Sequence, residues 1–170
     1  MARTAESLSR PTVAPTVPPA AAPDTVHVES RRFGAFEVPR DRILEMPQGL
    51  VGFARMRRFV VLDHRPGSPF KWLLSLDDPE LAFAVADPTD LVAGYVPPVE
   101  LASRILACAA DDLALFVLVT IPRDPTAMTV NLMAPVAVDV RTRRARQLVL
   151  EDGRYPAAHA VVAPSRAAAR

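Results

Sequence analysis

The side chains that could do chemistry in this sequence are few, and their spacing argues against each use. His27, His64 and His159 are far apart and show no short His-x-x-x-His repeat. Zinc needs three or four converging ligands, so no metal site is read. Asp77-Asp78 and Asp111-Asp112 are adjacent acid pairs, and paired carboxylates can serve as general acid and base, as in a hydrolase. The first pair precedes Pro79 and the second joins an expected helix to a strand. Asp favours such turns because its side chain bonds nearby backbone amides. Gly49 and Gly52 in "PQGLVGF" lack the Gly-Lys-Ser/Thr or G-x-G-x-x-G context of a phosphate loop. They read as turn glycines. Ser9, Ser30, Ser68 and Ser75 have no G-x-S-x-G setting. Cys108 falls on the apolar face of the expected helix and reads as core. No catalytic residue and no cofactor-binding residue is assigned, which favours a binding or regulatory protein over an enzyme.

The one basic cluster is "RTRRAR", residues 141–146. It reads as a solvated hairpin tip, with direct RNA binding through Arg143, Arg144 and Arg146 as the alternative. Charge weighs against that alternative. Formal net charge is +1 for the chain, but residues 25–152 carry 15 basic and 17 acidic side chains. A nucleic-acid binder needs a basic stripe for phosphate contacts.

The elements that position these residues are mostly strands. "TVHVES", "GAFEVP", "RILEM", "FVVLD", "KWLLSL" and "LAFAVA" are short apolar runs closed by Gly, Pro, Asp or Ser. "DLALFVLVT" reads as a strand buried on both faces, with a short helix open as the other reading of its periodicity. "AMTVNLM", "PVAVDV" and "ARQLVL" follow. In "PPVELASRILACAADD", Leu101, Ile105 and Cys108 fall at i, i+4, i+7. That spacing predicts one amphipathic helix over about 98–109, with Pro98 at its start and Glu100 at its positive end. A helical turn is also expected at 53–58. The sum is a mostly β, compact antiparallel barrel-like domain of about ten short strands over 25–156. It is flanked by a disordered Ala/Pro-rich tail at 1–24 and a flexible tail at 157–170. One cysteine forms no internal disulfide, which suits a reducing compartment. No 18-residue apolar run predicts a membrane span, and the N-terminus has no apolar core of a secretory signal.

Pro122, Pro125 and Pro135 stand beside good strand sequence. Proline removes a ladder donor and belongs at edges and bulges. Pro122 and Pro125 are expected to end the long apolar strand, and Pro135 to mark a bulge or edge. "MTVNLM" is then a rim strand with Asn131 and Met133 facing outward.

Three linked segments resemble the FliW family of flagellar assembly factors. "ILEMPQGLVGFARMRRFVVLD" carries Ile43, Pro47, Gly49, Leu50, Gly52, Phe53 and Phe59 at the family's positions. "FKWLLSLDDPELAFAVADP" carries Trp72, Ser75, Asp78, Pro79, Phe83, Asp87 and Pro88. "TIPRDPTAMTVNLMAPVAVDVRTRRARQLVLED" carries Thr120, Pro122, Thr129, Asn131, Pro135 and Gln147. The resemblance runs from about 26 to 156. Val51 replaces a common Pro, Ala54 a common Glu, Ala84 a common Pro and Met133 a common Lys.

The resemblance implies a cytoplasmic, non-catalytic protein, monomeric when free. It implies binding of flagellin and of the translational regulator CsrA, whose repression of flagellin mRNA it relieves, and no direct contact with nucleic acid or membrane. Candidate partner-binding residues are Phe53, Trp72, Asp78, Pro122, Met128, Asn131, Met133 and Pro135. Met128 and Met133 read as adaptable contacts and Trp72 as a partner anchor, with burial in the core as the other reading of each, and the Asn131 amide reads as pairing with a partner's backbone or satisfying its own turn.

Overall fold

In the computed structural model, residues 24–161 are described. Residues 1–23 and 162–170, where most of both expected tails fall, lie outside them. The described chain forms eleven strands and two α-helices. The strands are β1 (Thr25–Ser30), β2 (Gly34–Pro39), β3 (Leu44–Glu45), β4 (Arg58–Asp63), β5 (Phe70–Ser75) and β6 (Ala82–Ala86), then β7 (Leu113–Thr120), β8 (Thr129–Val130), β9 (Val136–Asp139), β10 (Ala145–Gln147) and β11 (His159–Ala160). The helices are α1 (Pro88–Leu91) and α2 (Val99–Leu106). β11 pairs with β8 and Val161 is buried, so ordered structure continues beyond residue 156.

β1 and β2 make a separate hairpin. The other nine strands form one sheet in the order β10-β9-β7-β6-β5-β4-β3, with β8 and β11 branching from β7. Side chains alternate across the strands, and both sets are apolar. One set, including Leu44, Phe59, Leu73, Val85, Val136, Val138 and Ala145, packs together across the sheet, so the sheet is curled around it. The opposite face is covered in three patches. The β1–β2 hairpin covers Val60 and Leu74. Helix α2 covers Leu115 and Ala137. Tyr95, Met128, Leu132 and Val161 cover Ala84, Ala86, Val117 and Val119. Both faces of β7 are thus covered by apolar side chains, as its continuous apolar run predicts.

The barrel expectation needs correcting. The two ends of the sheet meet only where the Glu45 N–H donates to the Arg143 carbonyl at 2.8 Å and Glu45 bridges to Arg144. No ladder closes the curl.

The helix is also shorter than 98–109. Ala107 adopts a left-handed conformation (φ 55°) at its C-cap and ends it. Its buried face is Ala102 and Leu106, not Leu101 and Ile105; Cys108 lies beyond it. Residues 53–58 form successive turns rather than a helix, because Arg58 already opens β4. The short helix α1 was not anticipated. Asp87 caps it, accepting from the Thr89 N–H at 2.8 Å, with Pro88 at its first position.

Pro122 and Pro125 follow the end of β7 at Thr120, in its connection to β8, whereas Pro135 sits at a defect in one antiparallel pairing. β7 pairs with β8 at Val119↔Val130 and with β9 at Phe116↔Val136. Between these pairs the partner chain advances three residues more than β7 does. Residues 131–135 are therefore a wide bulge with Pro135 at its end, outside the paired strands.

Two outcomes are expected. Phe59 is fully buried inside the curl, so Phe59→Ala should lose about 3–5 kcal/mol in urea unfolding; a loss below about 1 kcal/mol would contradict this core. On the hairpin, His27 Nδ1 lies 2.6 Å from Glu37 Oε1, and Nε2 lies 3.5 Å from Glu29. The hydrogen bond to Glu37, then that to Glu29, raises the imidazole pKa above 6.5. A raised pKa contributes stability that is fully present below pH 6.5 and lost as pH rises through the raised value. An NMR titration should place the His27 midpoint above 6.5 and show it falling in Glu37→Gln; a wild-type midpoint at or below 6.5 would remove the pairing.

Candidate functional site

The loop from Met46 to Met56 is built from three tight turns. The Gly49 N–H bonds to the Met46 carbonyl, Phe53 to Leu50, and Met56 to Phe53, at 2.7–3.0 Å. Met46 and Leu50 are buried in the sheet interior and anchor the loop. Gly49 has φ +63°, and a Cβ there would lie 2.4 Å from the Phe53 carbonyl oxygen. Only glycine fits, since both the conformation and the space exclude a side chain.

Gln147 ties this loop to the bulge. Its Oε1 accepts from the Val51 N–H at 2.8 Å, and its Nε2 donates to the Ala134 carbonyl at 3.1 Å. The two partners fix which amide atom is which. The chain after β10 then runs along the bulge: the Leu148 N–H bonds to the Pro135 carbonyl and the Leu150 N–H to the Met133 carbonyl, both at 2.8 Å. Leu148 and Leu150 point inward and Val149 outward.

Helix α2 lies on the other side. With Ala102 and Leu106 pressed onto the sheet, its next stripe turns Leu101 and Ile105 toward the loop. The result is an open cleft of about 490 Å³ between the loop, α2 and the segment after β10. Val51 (68 % exposed), Ile105 (39 %) and Val149 (49 %) line it, with Arg146 also in its wall. An exposed apolar side chain alone is ordinary; several gathered in one concavity mark an interaction site.

The residues expected to contact partners are scattered. Phe53 stands beside the cleft, packed edge-on against Phe83 with ring centroids 5.0 Å apart. Trp72 is on the opposite side of β5 from the curl's interior, beneath the Arg32 guanidinium (3.9 Å) and bonded through Nε1 to His64 Nδ1 (3.3 Å). Asp78 is a turn residue whose Oδ1 accepts from the Glu80 N–H. Pro122 is half-buried just past β7.

Met128 and Pro135 are buried and offer no surface to a partner. Asn131 and Met133 are half-buried rather than outward on a rim strand. Asn131 Oδ1 accepts from the Ala134 N–H at 3.0 Å, so the Asn shapes the bulge. Sequence reading missed Val51, Leu101, Ile105 and Val149. The available signal was α2, whose apolar residues occupy two neighbouring stripes when one suffices to cover a sheet.

The groups weighed for chemistry have structural roles. Burial pushes Asp77 up, but N–H bonds from Arg57 and Arg58 and the Arg58 guanidinium bring it below the ordinary carboxylate value. The Thr142 hydroxyl and then the Arg141 and Thr142 amides hold Asp139 low, where it organises the β9–β10 turn. Burial, then Asp139 and Asp112, push the Cys108 thiol up, away from nucleophilic use. Among the described residues no group of three or more His, Cys, Asp or Glu could hold a metal ion. No helix among them is long and apolar enough to cross a membrane. The Arg-rich stretch is the β9–β10 turn, with Arg143 in a left-handed conformation (φ 61°).

A curled antiparallel sheet with a turn-built loop, a docked helix and an apolar cleft between them defines a β-rich fold class. Comparison with known proteins gives its family. The family model of the FliW protein matches residues 27–161. The flagellar assembly factor FliW of Caldicellulosiruptor saccharolyticus is 36% identical over 131 residues, covering 76% of this chain and 86% of that one. That of Bdellovibrio bacteriovorus is 39% identical over 127 residues, covering 74% and 73%. A crystal structure of the flagellar assembly factor FliW superposes with a TM-score of 0.72 at 25% identity, covering 82% of this chain and 99% of that one. The chain belongs to the FliW family, a family of flagellar assembly factors rather than of enzymes. Val51 and Ala54 both line the cleft.

Gln147→Ala should cost about 1–3 kcal/mol, because it leaves the Val51 N–H and the Ala134 carbonyl without their partner. Differential scanning calorimetry reads this as a lower Tm. A Tm unchanged within error would show that water replaces the amide at no cost.

Proposed function

We propose that this protein binds flagellin and CsrA in the cytoplasm, and that flagellin occupancy controls how much of it is free to relieve CsrA's repression of flagellin mRNA. The observation that carries this reading is the cleft where Val51, Ile105 and Val149 converge. A groove with an apolar lining suits the apolar face of a helix, and flagellin's terminal segments are helical in the family's resemblance. Arg146 in the wall, with Arg144 in the adjoining depression, favours acidic residues flanking that face.

Competition follows from linkage. If flagellin lowers the affinity for CsrA, CsrA lowers the affinity for flagellin by the same factor. A folded region with 15 basic and 17 acidic side chains over 25–152 suits a basic RNA-binding partner better than RNA itself.

Purified flagellin and CsrA should each co-elute with this protein on size exclusion, and flagellin should displace CsrA. Ile105→Glu with Val149→Glu should weaken flagellin binding at least about tenfold, the scale of a lost interface anchor, while leaving the circular dichroism spectrum unchanged. Undiminished binding by a folded double variant would move the site elsewhere. Salt-sensitive RNA binding lost in Arg144→Ala with Arg146→Ala would favour direct RNA recognition instead.

A further inference from the structure

The incomplete closure of the curl leaves a seam. β3 pairs with β4 only at Leu44↔Phe59 and Glu45↔Arg58. Before Leu44 the chain peels away into a short 3-10 turn at Arg40–Arg42. β4 continues to Asp63, paired on its other side with β5 throughout. The direction of its free groups can be worked out. The Arg58 carbonyl accepts from Leu76, so Arg58 turns its carbonyl to β5. The Arg57 carbonyl accepts from Met46, so Arg57 faces β3. Successive residues alternate, which puts Val61 and Asp63 on the β3 side. Among the described residues no strand pairs with them there.

Beside that edge lies an apolar cleft of about 270 Å³. Phe36 and Val38 of the hairpin form one wall, and Phe116, Val138 and Val140 the other. Arg42 and Arg143 stand in its lining, and neither forms an ion pair among the described residues. Glu37, the acid of the lining, is already engaged by His27 and Thr25.

We propose that this seam binds an extended segment of a partner polypeptide, which pairs its backbone with Val61 and Asp63 of β4, buries alternate apolar side chains in the cleft and sets an acidic residue against Arg42 and Arg143. Unpaired strand edges recruit strands, and β3 stops short of the space such a strand would fill. The surface is separate from the α2 cleft, and the proposal stands whether or not that cleft takes flagellin.

The test uses the full chain, labelled with ¹⁵N, and three end-blocked six-residue peptides. The first alternates valine and threonine behind an N-terminal aspartate. The second is the same with N-methyl groups on alternate amides. The third has lysine for aspartate. The first should bind saturably, shift the Val61 and Asp63 amide resonances and slow their hydrogen exchange. The N-methyl and lysine peptides should each bind about tenfold more weakly or worse, the scale of losing a backbone pairing or reversing a charge contact. Arg42→Glu, at an exposed turn position, should reverse the preference between aspartate and lysine. The proposal is overturned by equal binding of the N-methyl peptide, by shifts confined to residues 48–52 and 146–149, or by no saturable binding at millimolar peptide.

Discussion

The pairing of β7 is the constraint on which the rest of the structure depends. One edge of this strand pairs with β6 at Val117–Val119, and the other pairs with β8 and β9 in succession. The two partners are out of step by three residues, so the chain between them has to bulge. A bulge exposes carbonyls and amides that a strand would have paired. The segment after β10 supplies the missing donors to Pro135 and Met133, and Gln147 supplies the one to Ala134. That same segment forms a wall of the cleft, and the same glutamine holds the loop opposite. The cleft thus shares its wall and its glutamine with the repair of one ladder.

This explains what was legible in the sequence. Short apolar runs between turn residues reveal nearly every strand of the sheet, because alternation and chain breaks are local properties. Pro122 and Pro125 mark the end of β7 and Pro135 the bulge for the same reason: proline's missing N–H is a local fact. The closure of the curl was not legible. Whether Glu45 meets a ladder or a single carbonyl depends on how far β3 runs before it peels away, and the strand-like run "RILEM" gives no sign that only Leu44–Glu45 pair. The helix face was misjudged on similar grounds. Leu101 and Ile105 are as apolar as Ala102 and Leu106, and which pair turns to the sheet is set by where the chain enters and leaves. Asn131, expected to face outward on a rim strand, instead accepts from the Ala134 N–H within the bulge, a turn role that strand patterning does not reveal.

Several residues of the chain are accounted for by the fold itself. Gly49 and Gln147 are explained by geometry alone, one by a carbonyl where a Cβ would be and the other by two backbone partners. Asp87 and Pro88 start a helix. Val51 and Ala54, by contrast, line the α2 cleft.

The single contact between Glu45 and the Arg143–Arg144 turn also bears on how the chain folds. β3 to β7 are sequence neighbours joined as a meander, with connections that close at small entropic cost, apart from the excursion through α1 and α2. The contact at Glu45 joins residues almost a hundred positions apart and brings one hydrogen bond. Loop closure of that length is repaid late, after the meander is in place. The walls of the α2 cleft likewise come from residues 48–54, 101–105 and 146–149, so no single stretch of the chain can form that surface by itself.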